Sequence, residues 1–379
     1  MATSLASSVA AAHRLEALLA GVPCGVAPRI RDEVDLDAPA TIIFTSGTTG
    51  RPKGAVLTHG NHAASAHAWA GLLRALPSHR WLACLPLYHV AGLAMVVRAS
   101  RWGARLDVAE AFEAPAVARA LDDGVTHISL VAAQLEGVLD AREGRPAPST
   151  LQTVLLGGGA IPTDLLARAR GYGYPVLTTY GMTETGSGVA SGGADAATRA
   201  DPLAGRPLPG VELRIDADAG GDGSGEILVR GGMVFAGYAD EPTATARKLH
   251  DGWLHTADIG HLDDAGLLRV LDRRDDLIVS GGENVYPAEV EAVLAAHPNI
   301  AEVAVVGVPD QHWGAVPVAA TVLEPRRPTA DEELRAYCRE RLAAYKVPAR
   351  FVRFDELPRD TLGKVRRQAL REAISEELP

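Results

Sequence analysis

The amino-acid sequence predicts an α/β protein: a large, layered α/β N-terminal domain with a β-rich subdomain, followed by a small α+β C-terminal domain. Three observations point there. Between residues 40 and 180, short runs rich in Ile, Val and Leu alternate with longer helix-like patterns, the texture of buried parallel strands joined by helices. Beyond Gly192 the chain fills with Gly, Pro and Asp breakers, with strand-like runs between them. From Asp275 a shorter mixture of helix and strand signals begins, which sets the expected division into residues 1–274 and 275–379.

The elements follow in order. Residues 1–22 are Ala-rich and read as a short amphipathic helix, without the basic start and unbroken apolar run of a signal peptide. Strands are expected over 41–44, 81–85, 127–131, 154–156 and 176–179, all in the style of buried parallel strands. Helices are expected over 59–73, 114–121 and 162–169. The β-rich stretch offers strands at 212–215, 226–230 and 267–271, with Asp263-Asp264-Ala265-Gly266 as a hairpin turn. In the C-terminal part Pro287 opens a helix over 288–296. Strands at 303–308 and 316–323, a helix at 331–344 and a strand at 351–354 complete it.

Composition narrows the function. With 37 Lys and Arg against 47 Asp and Glu, the net charge is −10 and the pI about 5.7. Such a chain is poorly suited to nucleic acid through bulk electrostatics, though local loops can still hold a polyanion. Cys24, Cys84 and Cys338 are widely spaced with no CxxC pair, which argues against a disulfide framework or zinc site and for a reducing cytoplasm. No uncharged apolar run approaches a membrane span.

The sharpest local feature is Thr45-Ser46-Gly47-Thr48-Thr49-Gly50-Arg51-Pro52-Lys53-Gly54. Glycines let successive N–H groups turn toward one point, hydroxyls add donors and Lys53 adds a cation, so the loop suits phosphate oxygens. It is not a Walker A loop, because GxxxxGK[ST] is absent. Further along come Gly157-Gly158-Gly159-Ala160, Tyr180-Gly181-Met182-Thr183-Glu184, His255-Thr256-Ala257-Asp258, the run from Asp272 through Gly281-Gly282 to Val285, and Leu357–Lys364. Taken singly, several are explained by ordinary turns; Gly157–Ala160 could be a plain strand-to-helix connection.

In this order the motifs resemble the adenylate-forming superfamily of acyl-CoA synthetases, peptide-synthetase adenylation domains and luciferases, over about residues 40–371. The resemblance implies ATP, Mg²⁺ and coenzyme A as cofactors and co-substrates, and gives roles to named residues. Thr45, Ser46, Gly47, Thr48, Thr49, Gly50 and Lys53 form the phosphate loop. Gly157 borders the acyl group, while Gly158 and Gly159 pass the adenine. Tyr180, Gly181 and Thr183 lie along the nucleotide, and Glu184 holds Mg²⁺, for which one carboxylate beside phosphates suffices. Asp258 binds the ribose hydroxyls, with Ala257 where the family usually has Gly, and Arg273 contacts the nucleotide. Asp275 is the hinge of a mobile C-terminal lid. Gly281 and Gly282 face the pantetheine arm, and Lys364 bridges carboxylate and α-phosphate during adenylation. His89 walls the acyl-pocket entrance.

Within the superfamily the pattern is most similar to the 2-succinylbenzoate–CoA ligases of menaquinone biosynthesis. The segments concerned are 85–92 with Arg98 following, 126–131, 155–160, 179–185 and 272–289. Two departures stand out: no Gln occurs near Gly188, and Thr45 comes early, with most of the usual N-terminal subdomain missing before it. Arg98 lies in an apolar stretch, where a charge needs a partner. It either snorkels or meets an Asp, or it grips a second carboxylate of the acid. Other aryl- or acyl-CoA ligases, and an adenylation module that loads a carrier protein, are the rival readings; no carrier segment follows Lys364 in this sequence. The implied partners are a carboxylic acid, ATP and CoA, with no nucleic acid and no membrane; a homo-oligomer stays open.

Overall fold

The computed structural model describes residues 33–45, 52–74, 76–159, 161–192, 204–217, 223–273, 276–281, 283–325, 327, 329–359, 363 and 365–376. Contacts separate Met1–Asp35 from Leu36–Pro379, and the architecture below is that of the second unit. The helix expected over 1–22 lies outside the described residues.

A seven-stranded sheet forms the centre, in the order Arg105–Val108, Arg80–Ala83, His127–Leu130, Thr153–Leu156, Val176–Met182, Ser187–Gly192, Arg206–Pro207. The first five strands are parallel; Ser187–Gly192 runs against them, and Arg206–Pro207 pairs antiparallel with Ser187–Gly192. Period-two alternation assigns Leu82, Ile128, Val154, Leu156 and Val176 to one face and Trp81, Ala83, Leu155 and Leu177 to the other. The first face packs helices Ala114–Asp122, Ala132–Ala141 and Thr163–Gly171 through Val117, Leu121, Leu135, Val138 and Leu166. The second packs His59–Leu73 and Val90–Trp102 through Trp69, Leu73, Met95 and Ala99. Because both faces are covered, the strands read as continuous apolar runs. Each Leu or Ile buried there contributes roughly 1.5–3 kcal/mol of transfer free energy.

Helix His59–Leu73 begins and ends as the sequence predicts. Thr58 caps it, its hydroxyl accepting from Asn61 N at 3.1 Å while Asn61 Oδ1 accepts from Thr58 N at 2.9 Å.

Residues 41–44, expected to join the parallel sheet, do not. Pro39–Thr45 pairs antiparallel with Lys53–Thr58 in a separate three-stranded sheet completed by Gly237–Tyr238. The strand alternates, with Ile43 in the core and Ile42 and Phe44 exposed, so it has one buried face rather than two. The strands before and after the phosphate-loop segment therefore pair with each other.

A five-stranded antiparallel sheet holds Val211–Ala217, Gly225–Gly231, Trp253–Leu262, Leu249–His250 and Leu268–Arg273. The turn at 263–266 is as expected, with Gly266 N donating to Asp263 O and Gly266 at φ +71. The remaining sheet contains Ile278–Ser280, Glu283–Val285, Ile300–Asp310, Gly314–Leu323 and, parallel to the last, Arg350–Arg353. Val305 and Ala319 meet Val290 and Leu294 of helix Pro287–Ala295 and Leu334 and Cys338 of helix Asp331–Arg339. Ala304, Val306, Val318 and Ala320 meet Leu370 and Ile374 of helix Arg367–Glu376 on the opposite face. The helix expected to reach residue 344 stops at Arg339. The N–H groups of Arg341 and Leu342 both turn back onto Cys338 O, tightening the last turn and ending the α-helix.

A buried histidine gives this fold a pH signature. His127 is 1% exposed, stacked on Trp81 at 4.7 Å, with Nε2 3.0 Å from Leu73 O and Nδ1 2.8 Å from Thr126 Oγ1. Burial pushes its pKa down to about 4. Burial also lowers those of His79 and His62. Between the unfolded histidine value of about 6.5 and about 4, the unfolded chain binds a proton that the folded chain refuses, so stability falls as pH falls. We expect His127 alone to cost about 2 kcal/mol by pH 5. Urea midpoints at pH 7.5 and pH 5 should show the loss, and His127→Gln should flatten the slope; equal slopes would assign it to other groups.

Candidate active site

The parallel strands end on one edge, and the loops there carry six of the sequence-predicted residues, as α/β sheets favour for ligands. Strand Arg80–Ala83 leads to His89, strand Thr153–Leu156 to Gly157, Gly158 and Gly159, and strand Val176–Met182 to Thr183 and Glu184.

Strand Val176–Met182 runs on past residue 179 and carries Tyr180 and Gly181 itself. Tyr180 donates its hydroxyl to Asp258 Oδ2 at 2.8 Å, both residues being buried. A Cβ on Gly181 would fall 1.9 Å from Ser187 O, so only glycine fits the hairpin to Ser187–Gly192. Thr183, Glu184 and Thr185 form one 3₁₀ turn. Thr185 braces it, its hydroxyl donating to Met182 O or Ser187 O and accepting from Met182 N.

Glu184 has a partner that sequence reasoning missed. Tyr238 donates its hydroxyl to Glu184 Oε1 at 2.6 Å. Burial, then the neighbouring carboxylate, pushes that hydroxyl far above the ordinary tyrosine range, so it remains a donor. Lys53 Nζ lies 5.7 Å from the centre of the same ring. Tyr238 arrives through strand Gly237–Tyr238, which pairs with Ala55 and Val56, and nothing in its own neighbourhood of the sequence marks it. Thr45 faces Lys53 across the hairpin, its hydroxyl donating to Lys53 O at 3.4 Å.

Among the described residues no group of three or more His, Cys, Asp or Glu could hold a metal by itself. Glu184 suits a hard divalent ion shared with nucleotide phosphates: one carboxylate whose Oε1 is braced and whose Oε2 takes no hydrogen bond from a described residue.

The glycines differ in why they are needed. A Cβ on Gly157 would meet Thr179 Oγ1 at 2.3 Å, and Gly158 has φ +84, whereas Gly159 has open space around it. Gly281, at φ +59, lies under the Trp313 ring in the C-terminal sheet. Asp258 lies in strand Trp253–Leu262, opposite Arg273 in the ladder. Ala257, beside it, sits at φ +62, a left-handed conformation that glycine adopts without strain. Ser46, Gly47, Thr48, Thr49, Gly50, Asp275, Gly282 and Lys364 lie outside the described residues.

His89 caps helix Val90–Trp102 beside exposed Tyr88, their rings 4.5 Å apart. Arg98, in the same helix, does not snorkel and meets no Asp among the described residues. It is 2% exposed, its guanidinium 4.9 Å from the Trp69 ring, and its Nε and Nη2 have no partner among the described residues. Burial pulls its pKa down to about 9. Around it lie His62, Ser65, Ala66, Ala94 and Gly186, two residues beyond Glu184, packed with no space for a water-sized molecule between them.

Residues 4–239 match the AMP-binding enzyme family and residues 289–364 its C-terminal domain. A 2-succinylbenzoate–CoA ligase of Bacillus cereus (strain Q1) is 43% identical over 351 residues, 92% of this chain and 73% of the relative. Among solved structures, the o-succinylbenzoate CoA synthetase (MenE) of Bacillus subtilis with its acyl-adenylate intermediate OSB-AMP superposes at TM-score 0.84, with 42% identity over 89% of this chain and 70% of that one. The same Bacillus subtilis enzyme with ATP and magnesium gives 0.84, 41% identity, and 91% and 73% coverage. The chain belongs to the AMP-binding enzyme family and, within it, to the 2-succinylbenzoate–CoA ligases.

Proposed function

We propose that this protein is the AMP-forming ligase that joins 2-succinylbenzoate to coenzyme A in menaquinone biosynthesis, consuming ATP and releasing AMP and diphosphate. The observation that carries the substrate is Arg98: a buried guanidinium with no acidic partner among the described residues. A dicarboxylic acid has one carboxylate to activate and a second for such a group to hold. A fatty acid or benzoate leaves the cation unanswered.

Activation brings an anionic carboxylate against an anionic phosphate. The loop N–H groups of residues 45–50, with Lys53 and Lys364, offset that repulsion, and Thr183 orients the phosphate. Mg²⁺, when bound at Glu184, supplies charge neutralisation of the phosphates. Asp258, held by Tyr180, takes the ribose hydroxyls, with Arg273 beside it in the ladder. Gly157, Gly158 and Gly159 let adenine and acyl group pass close to the backbone, and His89 walls the entrance. Carboxylate oxygen attacks the α-phosphorus and diphosphate leaves; the thiol then attacks the acyl carbon and AMP leaves. Residues 275–379 form a lid that turns about Asp275, withdrawing Lys364 and bringing Gly281 and Gly282 toward the thiol's arm. The chemistry suits a cytoplasmic enzyme, and no described helix is long and apolar enough to cross a membrane.

The test is diphosphate release across a panel of acids, with and without CoA. 2-Succinylbenzoate should be preferred, and its thioester should form only when CoA is added. Preference for a plain fatty or benzoic acid would overturn the substrate assignment while leaving the ligase chemistry.

A further inference from the structure

The segment that carries Asp258 is not a regular strand. Between the pairs Glu226↔Ile259 and Leu228↔His255 one residue, Ile227, stands against three, 256–258. This bulge removes ladder partners from its own peptide groups, and Ala257 within it takes the left-handed φ of +62. For a residue with a Cβ that conformation costs roughly 1–2 kcal/mol and needs something to hold it.

Side chains supply the missing partners. Glu226, 6% exposed, accepts from Ala257 N through Oε1 at 2.7 Å. Thr256 Oγ1 accepts from Asp258 N at 3.0 Å and can donate to Ile227 O at 2.7 Å. Lys248 Nζ donates to the carbonyls of His255 and Thr256, each at 3.0 Å. Glu226 Oε2 also lies 3.4 Å from His255 Nδ1, and the His255 ring stacks on His250 at 3.6 Å. A buried carboxylate and an ammonium thus hold the N–H and C=O groups of two successive peptides of the bulge, while the Asp258 side chain meets Tyr180.

We infer that Glu226 and Lys248 are positioning residues for nucleotide selection: they fix the 256–258 bulge so that Asp258 presents its carboxylate to the ribose hydroxyls. The inference rests on the reading of Asp258 as the ribose contact. It makes the discrimination that Asp258 exerts between ribose and deoxyribose depend on the side chains that hold its backbone.

The experiment compares kcat/KM for ATP with that for 2′-deoxy-ATP and 3′-deoxy-ATP in diphosphate release. A purely structural defect lowers the active fraction and scales all three substrates alike, so their ratios report positioning. Glu226→Ala should lower the ATP preference about tenfold, chiefly through KM. Glu226→Gln keeps an oxygen for Ala257 N and should retain most of it. Lys248→Met, which leaves Glu226 in place, should shift the same ratio and carries the test if Glu226→Ala does not fold. Asp258→Asn is the reference. If it abolishes the preference while the Glu226 and Lys248 variants keep the parental ratio, the positioning role is wrong. If Asp258→Asn itself keeps the ratio, the ribose reading fails and the inference falls with it.

Discussion

Glu184→Gln is expected to fold as the parent does, to require far more Mg²⁺, and to form acyl-adenylate about a hundredfold more slowly. The substitution keeps the side chain's length and an oxygen able to accept from Tyr238, now 2.6 Å away. Its turn is held through the backbone as well, Phe235 N donating to Glu184 O at 2.8 Å. What disappears is the negative charge that a hard cation needs in place of its water. The Tyr238 hydroxyl stays protonated at any working pH, so it anchors either side chain and does not compensate for the charge. The phosphates would then lose the ion that links them to this turn. Diphosphate release measured against Mg²⁺ concentration separates the outcomes. A right-shifted titration with an unchanged urea midpoint supports Glu184 as the metal carboxylate. An unchanged Mg²⁺ midpoint would mean that the ion is held elsewhere and that Glu184 only braces the 183–185 turn.

Local signals carried much of the fold. Helix His59–Leu73 was legible as the longer helix-like pattern between two strand-like runs, and the structure adds its cap at Thr58 and Asn61. The strands of the central sheet were legible because two helical layers make both faces apolar. The hairpin of residues 39–58 was not, since a run such as Thr-Ile-Ile-Phe looks alike whether one face is buried or two. Strand Trp253–Leu262 escaped for the opposite reason. Its middle is polar and bulged, and the side chains that satisfy it, Glu226 and Lys248, lie outside the motif they support. The Glu184–Tyr238 pair spans 54 residues, and only the pairing of Gly237–Tyr238 with Ala55 and Val56 brings it about. Motifs reported which residue types the chemistry needs; long-range strand pairing decided which neighbours hold them.

Arg98→Ala should lower kcat/KM for 2-succinylbenzoate by about a hundredfold or more, the effect of losing a charge-assisted bidentate contact in a dry site. Acids with a single carboxylate should be affected little. The contrast matters because Arg98 could instead serve the fold by stacking on Trp69 at 4.9 Å. In that case truncation would open a cavity between helices His59–Leu73 and Val90–Trp102 and depress every substrate alike. Arg98→Met distinguishes the two. It fills similar volume, removes a buried cation that has no acidic partner among the described residues, and should leave stability unchanged or raise it. Arg98→Lys keeps the charge without the planar fork and should fall between parent and Ala with the dicarboxylate. Kinetics with 2-succinylbenzoate and benzoate, beside urea midpoints for all three variants, give the answer. If Arg98→Met costs stability and slows both acids equally, the guanidinium is a packing element and the second carboxylate is read elsewhere. If it is stable, retains its activity with benzoate and fails only with the dicarboxylate, the buried charge exists for the substrate.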